Sequence, residues 1–362
     1  MKKISKLFYT SLLSVNFITI GGLILTAYSP YFNPESLPFL ANLGLGFPIL
    51  LLLQAVFLLF WLLVKPKQVK YSIIGLLIIA PQLFKYCPVN WTKPTPNEAI
   101  KVLSYNTMSF GGLTKNSNHK NEILEYLKDS QADIICLQEY SASSNSKYVT
   151  DQDINKALST YNYSKINKIG NNKSGNKLAI YSKYPIKQTT ILPLNSSYNG
   201  AVAYVLNVHG EDVLVINCHL ESNKITKEDK VTYERILKME NKEQLVKDTK
   251  SLYSKFIDAS LIRQKQAQKV DSIVKISKLP YKIVCGDFND SPLSYTNRLL
   301  EENLTNAFVQ SGTGFGISYN QNKFFFRIDN ILVSKNIKAF NCIVDRSIKA
   351  SDHYPIWCYI AK

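Results

Sequence analysis

Eight polar residues stand where short apolar runs of this chain end: Asn106, Glu139, His219, Asp287, Asn289, Asp329, Asp352 and His353. Three aspartates and a glutamate, if gathered, can hold a hard divalent cation such as Mg²⁺ through oxygen ligands. A histidine beside an acid can move protons, the acid fixing the ring and raising its basicity. Asparagine amides offer N–H donors to phosphoryl oxygens. The inventory suits attack of an activated water on a phosphate ester, where positioning and charge stabilisation dominate. Each residue also has an ordinary reading. Asn106 can cap a turn, Glu139 can be a solvated strand end, His219 a packed strand histidine, and Asp352-His353 a turn before Tyr354-Pro355. Asp329, inside the apolar run FFFRIDNILVS, needs a partner; Arg327 or a histidine would serve. His119 and His209 lie outside the pattern and are read as surface residues.

The elements that must carry these groups are short. Lys282 to Cys285 reads as a buried strand running into Gly286-Asp287-Phe288-Asn289, which delivers an acid and an amide at its end. Ile100 to Tyr105 ends at Asn106, Asp133 to Leu137 runs into Gln138-Glu139, and Leu178 to Tyr181 leads to Tyr184-Pro185. Ala201 to Val208 and Val213 to Cys218 form a hairpin around Gly210, the second strand ending at His219. Ile328 to Ser334 and Ile356 to Ile360 close the series. Asn121 to Ser130 and Ser260 to Ile276 have helical, amphipathic patterns. Many strands with helices between some of them predict two layered sheets with outer helices. Glu221 to Ile257 is a charged insert between active-site strands, either a substrate-facing flap or a solvated decoration.

The amino-terminal part differs. Leu7 to Ala27 is an uncharged apolar stretch of 21 residues, Phe39 to Val64 another of 26, and Tyr71 to Phe84 a third of 14. The first two are long enough to cross a bilayer; the third is so only if its helix continues to about Trp91. Residues 1–94 are read as a membrane anchor with spans near 7–27, 39–64 and 71–91, and 95–362 as a catalytic domain. Lys2, Lys3 and Lys6 precede the first span, and Lys65, Lys67 and Lys70 lie between the second and third, whereas Tyr28 to Pro38 has no lysine. The positive-inside rule then puts the amino terminus in the cytoplasm and, with three spans, the catalytic domain outside it.

The net charge of +16 permits a polyanionic substrate or an anionic membrane surface without demanding either. Cys136, Cys218 and Cys285 sit in apolar strands as small hydrophobes, while Cys342 and Cys358 could pair if their strands are neighbours.

From about Ile100 to Ile360 the chain resembles the endonuclease/exonuclease/phosphatase superfamily. The matching segments are SYNTM at Asn106, DIICLQEY at Glu139, NKLAIYSKYPI from Asn176, VINCHLES at His219, IVCGDFNDSP at Asp287 and Asn289, RIDNILVS at Asp329, and SDHYPI at Asp352 and His353. The resemblance implies an α/β fold, a four-layered sandwich of two packed mixed sheets flanked by helices, here preceded by two to three transmembrane helices. It implies a hydrolase of phosphodiester bonds with Mg²⁺, or Mn²⁺, as cofactor. Glu139 becomes the principal metal ligand, with Asn106 and Asp352 beside it. Asp287 orients or deprotonates the attacking water, Asn289 contacts the phosphate together with Asn106, and His219 is a phosphate contact or general acid. His353 paired with Asp329 stabilises developing charge or acts as base. Met108 stands where the apurinic-site branch has a further metal-binding aspartate, which argues against that branch and for a one-metal or differently arranged site. Within this superfamily the substrate could be nucleic acid, a phospholipid head group or a small phosphate ester; no interleaved aromatic and basic platform for bases is evident. A binding module without activity is the rival from another class, and no feature calls for an obligate protein partner.

Overall fold

Short apolar runs separated by Gly, Pro and Asn turns fold, among the described residues from Ile100 onward, into twelve strands. The structure is a computed structural model that describes residues 2–362 except 172–175, 227, 230, 233–234, 236–241, 320 and 322–324. One sheet has the order β11-β12-β1-β2-β4-β3 and the other β5-β6-β7-β8-β10-β9. The strands are β1 (Ile100–Asn106), β2 (Ile134–Gln138), β3 (Tyr163–Ile169), β4 (Asn176–Ser182), β5 (Ile186–Ile191) and β6 (Gly200–Val208), then β7 (Glu211–His219), β8 (Tyr281–Asp287), β9 (Leu304–Asn306), β10 (Asp329–Ser334), β11 (Lys338–Val344) and β12 (Ile356–Ala361). Both sheets are mixed, with β1–β2 and β7–β8 the parallel pairs.

Three buried clusters make the layers. Val102, Ile134, Ile180, Val215, Ile283 and Ile331 fill the space between the sheets. Leu103, Ile135 and Leu137 face the helices Glu122–Asp129 and Asp151–Ala157 on one outer side. Ile216, Val284 and Leu332 face the helices Lys242–Ile276 and Tyr295–Glu301 on the other. Helix, sheet, sheet, helix is the four-layered sandwich expected from the sequence. Cys136, Cys218 and Cys285 are buried free thiols, and Cys342 and Cys358 lie on neighbouring strands as free thiols rather than a disulfide.

A polar bridge joins the sheets beneath the strand ends. Gln138 Nε2 donates to Asn217 Oδ1 at 2.7 Å, and Asn217 Nδ2 donates to the carbonyls of Leu137 and Ala179 at 3.0 and 3.1 Å. Asn217→Leu leaves these buried groups unpaired. With each orphan costing about 1–3 kcal/mol, a loss of about 2–4 kcal/mol is expected, read as a lower melting temperature of the full chain in detergent. A variant melting with the parent would show that the bridge is not stabilising.

The amino-terminal part forms three helices, α1 (Lys2–Ala27), α2 (Phe47–Val64) and α3 (Val69–Tyr86). The side chains of Lys2, Lys3 and Lys6 lie outside the described residues. Among the described residues two segments, Leu7–Ala27 and Pro38–Val64, are helical, long and apolar enough to cross a membrane. The second is interrupted: a short helix at Pro38–Ala41 and a 3₁₀ turn at Leu43–Gly46 precede α2. The expected extension of the third helix to Trp91 does not form. Pro88 has no N–H and bars Cys87 from helical geometry, so α3 stops at Tyr86, with Cys87 at φ −133° and ψ 76°. Buried Asn16 ties the three helices together, donating to Gln54 Oε1 at 3.0 Å and accepting from Trp61 Nε1 at 3.0 Å and Ser72 Oγ at 3.4 Å.

Candidate active site

Strand register brings the polar ends into one row. His219 pairs across the parallel β7–β8 ladder with Asp287, and Asp287 across the antiparallel β8–β10 ladder with Asp329. In the facing sheet Asn106 pairs with Gln138, the residue before Glu139. Both sheets therefore deliver their acids, amides and imidazoles to the same edge.

Asp287 Oδ2 is the hub. Asn106 Nδ2 lies 3.1 Å from it, and His219 Nε2 and His353 Nε2 each lie 3.6 Å away. Asn106 Nδ2 is also 3.2 Å from Glu139 Oε1, which in turn lies 3.8 Å from His219 Nε2. His353 Nδ1 meets Asp329 Oδ2 at 2.8 Å, so the partner that Asp329 requires is the histidine and not Arg327. Asp287 Oδ1 accepts the Asn289 backbone N–H at 2.8 Å, and Asn289 Nδ2 is held by the Leu220 carbonyl at 2.9 Å. Asp352 is half-buried beside His353. His119 and His209 are exposed, as expected.

The backbone is strained at these positions. Glu139 and Asn289 have φ of 51° and 52°, a left-handed conformation uncommon outside glycine and frequent at functional sites. The segment after Asn106, Met108 to Leu113, also winds left-handed, with φ between 47° and 70°. Such geometry costs roughly 1–2 kcal/mol per non-glycine residue. It is held by Ser109 N–H on the Glu139 carbonyl at 2.9 Å and by Asn121 Nδ2 on the Phe110 carbonyl at 2.8 Å. Met108 turns its N–H to Asn106 Oδ1 at 3.2 Å and offers no oxygen side chain to the site.

Residues 103–353 match the Endonuclease/Exonuclease/phosphatase family. The chain belongs to this family. Residues 5–86 match a domain of unknown function (DUF8431). Among solved structures, humanized Danio rerio TDP2 is similar at 17% identity and a TM-score of 0.53, covering 74% of this chain and 100% of that one. The catalytic domain of human Nocturnin with bound sulfate anion has 16% identity and a TM-score of 0.50, covering 74% of this chain and 96% of that one. A family protein from Leptotrichia buccalis has 17% identity and a TM-score of 0.50, covering 73% and 100%. At these identities the likeness is one of fold. No curated protein sequence matches the chain.

In this endonuclease/exonuclease/phosphatase site the charges are uneven. Burial raises Glu139, with Asn106 and His353 opposing and Asp352 and Asp329 adding to the rise. Burial also pushes Asp287 up to about 6, against the pull of His353. Burial disfavours the His353 imidazolium, but Asp329 and Asp287 outweigh it and hold the ring up at about 10. His219 is lowered by burial. Asn176, which sequence reasoning left within a motif without a role, explains its form. The Asn176 Oδ1 accepts the Lys177 N–H at 2.8 Å, so its Nδ2 donates to His219 Nδ1 at 2.9 Å, and the neutral ring carries its proton on Nε2. The buried amide at a strand start was the available signal.

The donors suit a hard cation. Ligand atoms of Asp287, Asp329 and His353 lie within 4.8 Å of one another, but Asp329 Oδ2 and His353 Nδ1 are already bonded to each other. Glu139 is better placed as a ligand: its side chain is 25% exposed, and Oε2 makes no hydrogen bond among the described residues. Buried Asp329 Oδ1 also has no hydrogen-bond partner among the described residues. Buried carboxylates held close together are what a divalent ion relieves.

Proposed function

We propose that this chain is a membrane-anchored, divalent-metal-dependent phosphodiesterase, and the observation that carries the reading is the convergence of Asn106, His219 and His353 on Asp287. Glu139, with Asn106 and Asp352 beside it, would hold Mg²⁺ or Mn²⁺, which supplies charge neutralisation at the phosphoryl oxygens. Asp287, ionised near neutrality, accepts the proton of the attacking water. His219, neutral and protonated on Nε2, donates a hydrogen bond to a phosphoryl oxygen, with Asn289 beside it. His353, kept cationic by Asp329, stabilises the developing charge and returns a proton to the leaving oxygen.

The anchor bears on the substrate. The segment between α1 and α2 touches the family domain through Arg298 Nε on the Pro30 carbonyl at 2.9 Å, Gln264 Nε2 on Asn33 Oδ1 at 3.0 Å and Asn42 Nδ2 on Ser260 Oγ at 3.0 Å. That segment and the domain therefore share one side of the helical trio, while Lys65, Lys67 and Lys70 lie at the other end. Although α3 stops at Tyr86, it begins at Val69 and takes in Lys70 and Lys85 at its ends, so at 1.5 Å per residue its 18 residues extend about 27 Å, close to the hydrocarbon thickness. This supports three spans with the domain outside the cytoplasm. Protease added to intact spheroplasts is expected to remove the domain; protection until lysis would place it in the cytoplasm.

A site held at the outer ends of membrane helices favours a phospholipid head group as substrate. The Danio rerio TDP2 solved with a single-strand DNA product makes DNA the alternative to assay. The test is the full chain in vesicles with Mg²⁺ or Mn²⁺, offered lipid phosphodiesters, bis(p-nitrophenyl) phosphate and plasmid DNA. Lipid hydrolysis is expected; cleavage of DNA alone would move the substrate, and folded protein inert on all three would sink the phosphodiesterase reading. The role of the insert remains tied to its geometry: Lys242–Ile276 is one helix, whereas much of 227–241 lies outside the described residues. If Glu221 to Ile257 is a substrate flap, trimming it should change lipid preference and leave the generic ester hydrolysed; unchanged kinetics on every substrate would make it decoration.

A further inference from the structure

The helical trio does more than hold the domain near a surface, because its outer end closes two segments of the candidate site. Arg327 is 2% exposed and lies two residues before Asp329. Its Nη2 donates to the Lys85 carbonyl at 2.9 Å, and its Nη1 to the Phe315 carbonyl at 2.9 Å and the Tyr86 carbonyl at 3.3 Å. The guanidinium carbon sits 4.5 Å from the centre of the Phe308 ring. Lys85 and Tyr86 end α3, where helix carbonyls lack intrahelical partners and carry partial negative charge. A cation from the other domain supplies the missing cap. Immediately downstream the N–H groups of Ile328 and Asp329 both meet buried Ser318 Oγ at 3.0 Å, so the backbone between the cap and the acid is fixed.

The second seat is Leu293, four residues after Asn289 and buried among Leu23, Ala27, Phe47 and Tyr86. Gly44 fits against it so closely that a Cβ there would stand 2.1 Å from the Leu293 carbonyl oxygen. Four residues reach at most about 14 Å and two about 7 Å, so both seats lie close to the reacting groups along the chain.

We infer that the three amino-terminal helices are part of the catalytic unit, and that Arg327 is a positioning residue that fixes Asp329, and through it His353, to the outer end of α3. The inference rests on the reading of Asp329 and His353 as catalytic. It makes turnover conditional on a correctly assembled helical trio, so that a chain whose helices have not folded together is inactive even with every catalytic residue in place.

The test uses the full chain in vesicles with Mg²⁺ and bis(p-nitrophenyl) phosphate. Arg327→Gln is expected to lower kcat about tenfold or more with KM within about twofold, since small misplacements of reacting groups carry large rate penalties. Arg327→Lys, which keeps a donor to one carbonyl, should recover part of the loss. Gly44→Ala lies in the amino-terminal part, presses on the Leu293 carbonyl across the second seat and touches no catalytic group. It should lower kcat in the same direction and raise hydrogen exchange in 328–331 and 288–293, while exchange in β1 and β2 stays as in the parent. Unchanged exchange in those two segments in folded Gly44→Ala protein would overturn the inference, whatever the activity. So would a kcat within twofold of the parent for both Arg327→Gln and Gly44→Ala. A parent chain inert on the ester, with exchange responding as stated, would instead count against the phosphodiesterase reading and leave the coupling standing.

Discussion

Asp287→Asn is expected to lower kcat by about two orders of magnitude or more, the scale on which a positioned base or acid acts. The replacement keeps the size and shape of the side chain and removes its charge and its basicity. In the parent, Oδ2 stands 3.1 Å from Asn106 Nδ2 and 3.6 Å from both imidazoles, so the charge removed lies at the centre of the cluster. An amide there also deprives His353 of one of the two carboxylates that keep it cationic, which weakens the acid along with the base. Folding should be little altered, because the Oδ1 contact to the Asn289 N–H survives in Asn. The same group predicts an acid limb. Buried Asp287 has its carboxyl raised to about 6, and a base works only when deprotonated, so kcat/KM should fall as pH drops through that value. A folded Asp287→Asn variant retaining more than a tenth of the parent kcat on the preferred ester would remove Asp287 from the role of base.

The strands that carry the site were legible because they are buried on both faces and end abruptly. Val284 and Cys285 before Gly286-Asp287, and Ile135 and Cys136 before Gln138-Glu139, are continuous apolar runs of the kind covered on both sides by other layers. The edge strands were not. β3 (Tyr163–Ile169) and β5 (Ile186–Ile191) expose most of their residues and carry Lys165, Lys168 and Lys187, so their patterns lack the apolar half that marks a strand. β9 has three residues, too few for a period. The helix Asp151–Ala157 was missed although Thr150 and Asp153 form a reciprocal capping box. At the site, the residue types pointed to phosphate-ester chemistry, but the pairing did not follow from sequence. Arg327 lies nearer in sequence to Asp329 than His353 does, yet the histidine is the partner and the arginine turns to α3. That choice depends on a contact between chain segments more than two hundred residues apart, which no local pattern encodes.

Removing divalent cations should abolish turnover, and it should also change the stability of the resting protein. Glu139, Asp287, Asp329 and Asp352 crowd one strand edge, and burial together with neighbouring acids raises Glu139 and Asp287. An ion that binds the folded site and not the unfolded chain stabilises the fold by RT ln(1 + [L]/Kd), about 2.7 kcal/mol at a hundredfold excess over Kd. The full chain stripped with chelator is therefore expected to melt lower than the same chain given Mg²⁺ or Mn²⁺, independently of any substrate. Glu139→Gln keeps the volume and loses the charge of a carboxylate that is partly open to solvent. It should cut both the melting shift and the activity, whereas a distant change such as Lys187→Gln should leave both as they were. The two readouts separate the possible failures. A melting shift without activity would keep the metal site and reject the assumed substrate; full activity in excess chelator, with no shift on adding either ion, would reject the metal and leave the Asp287, His219 and His353 arrangement to account for catalysis unaided.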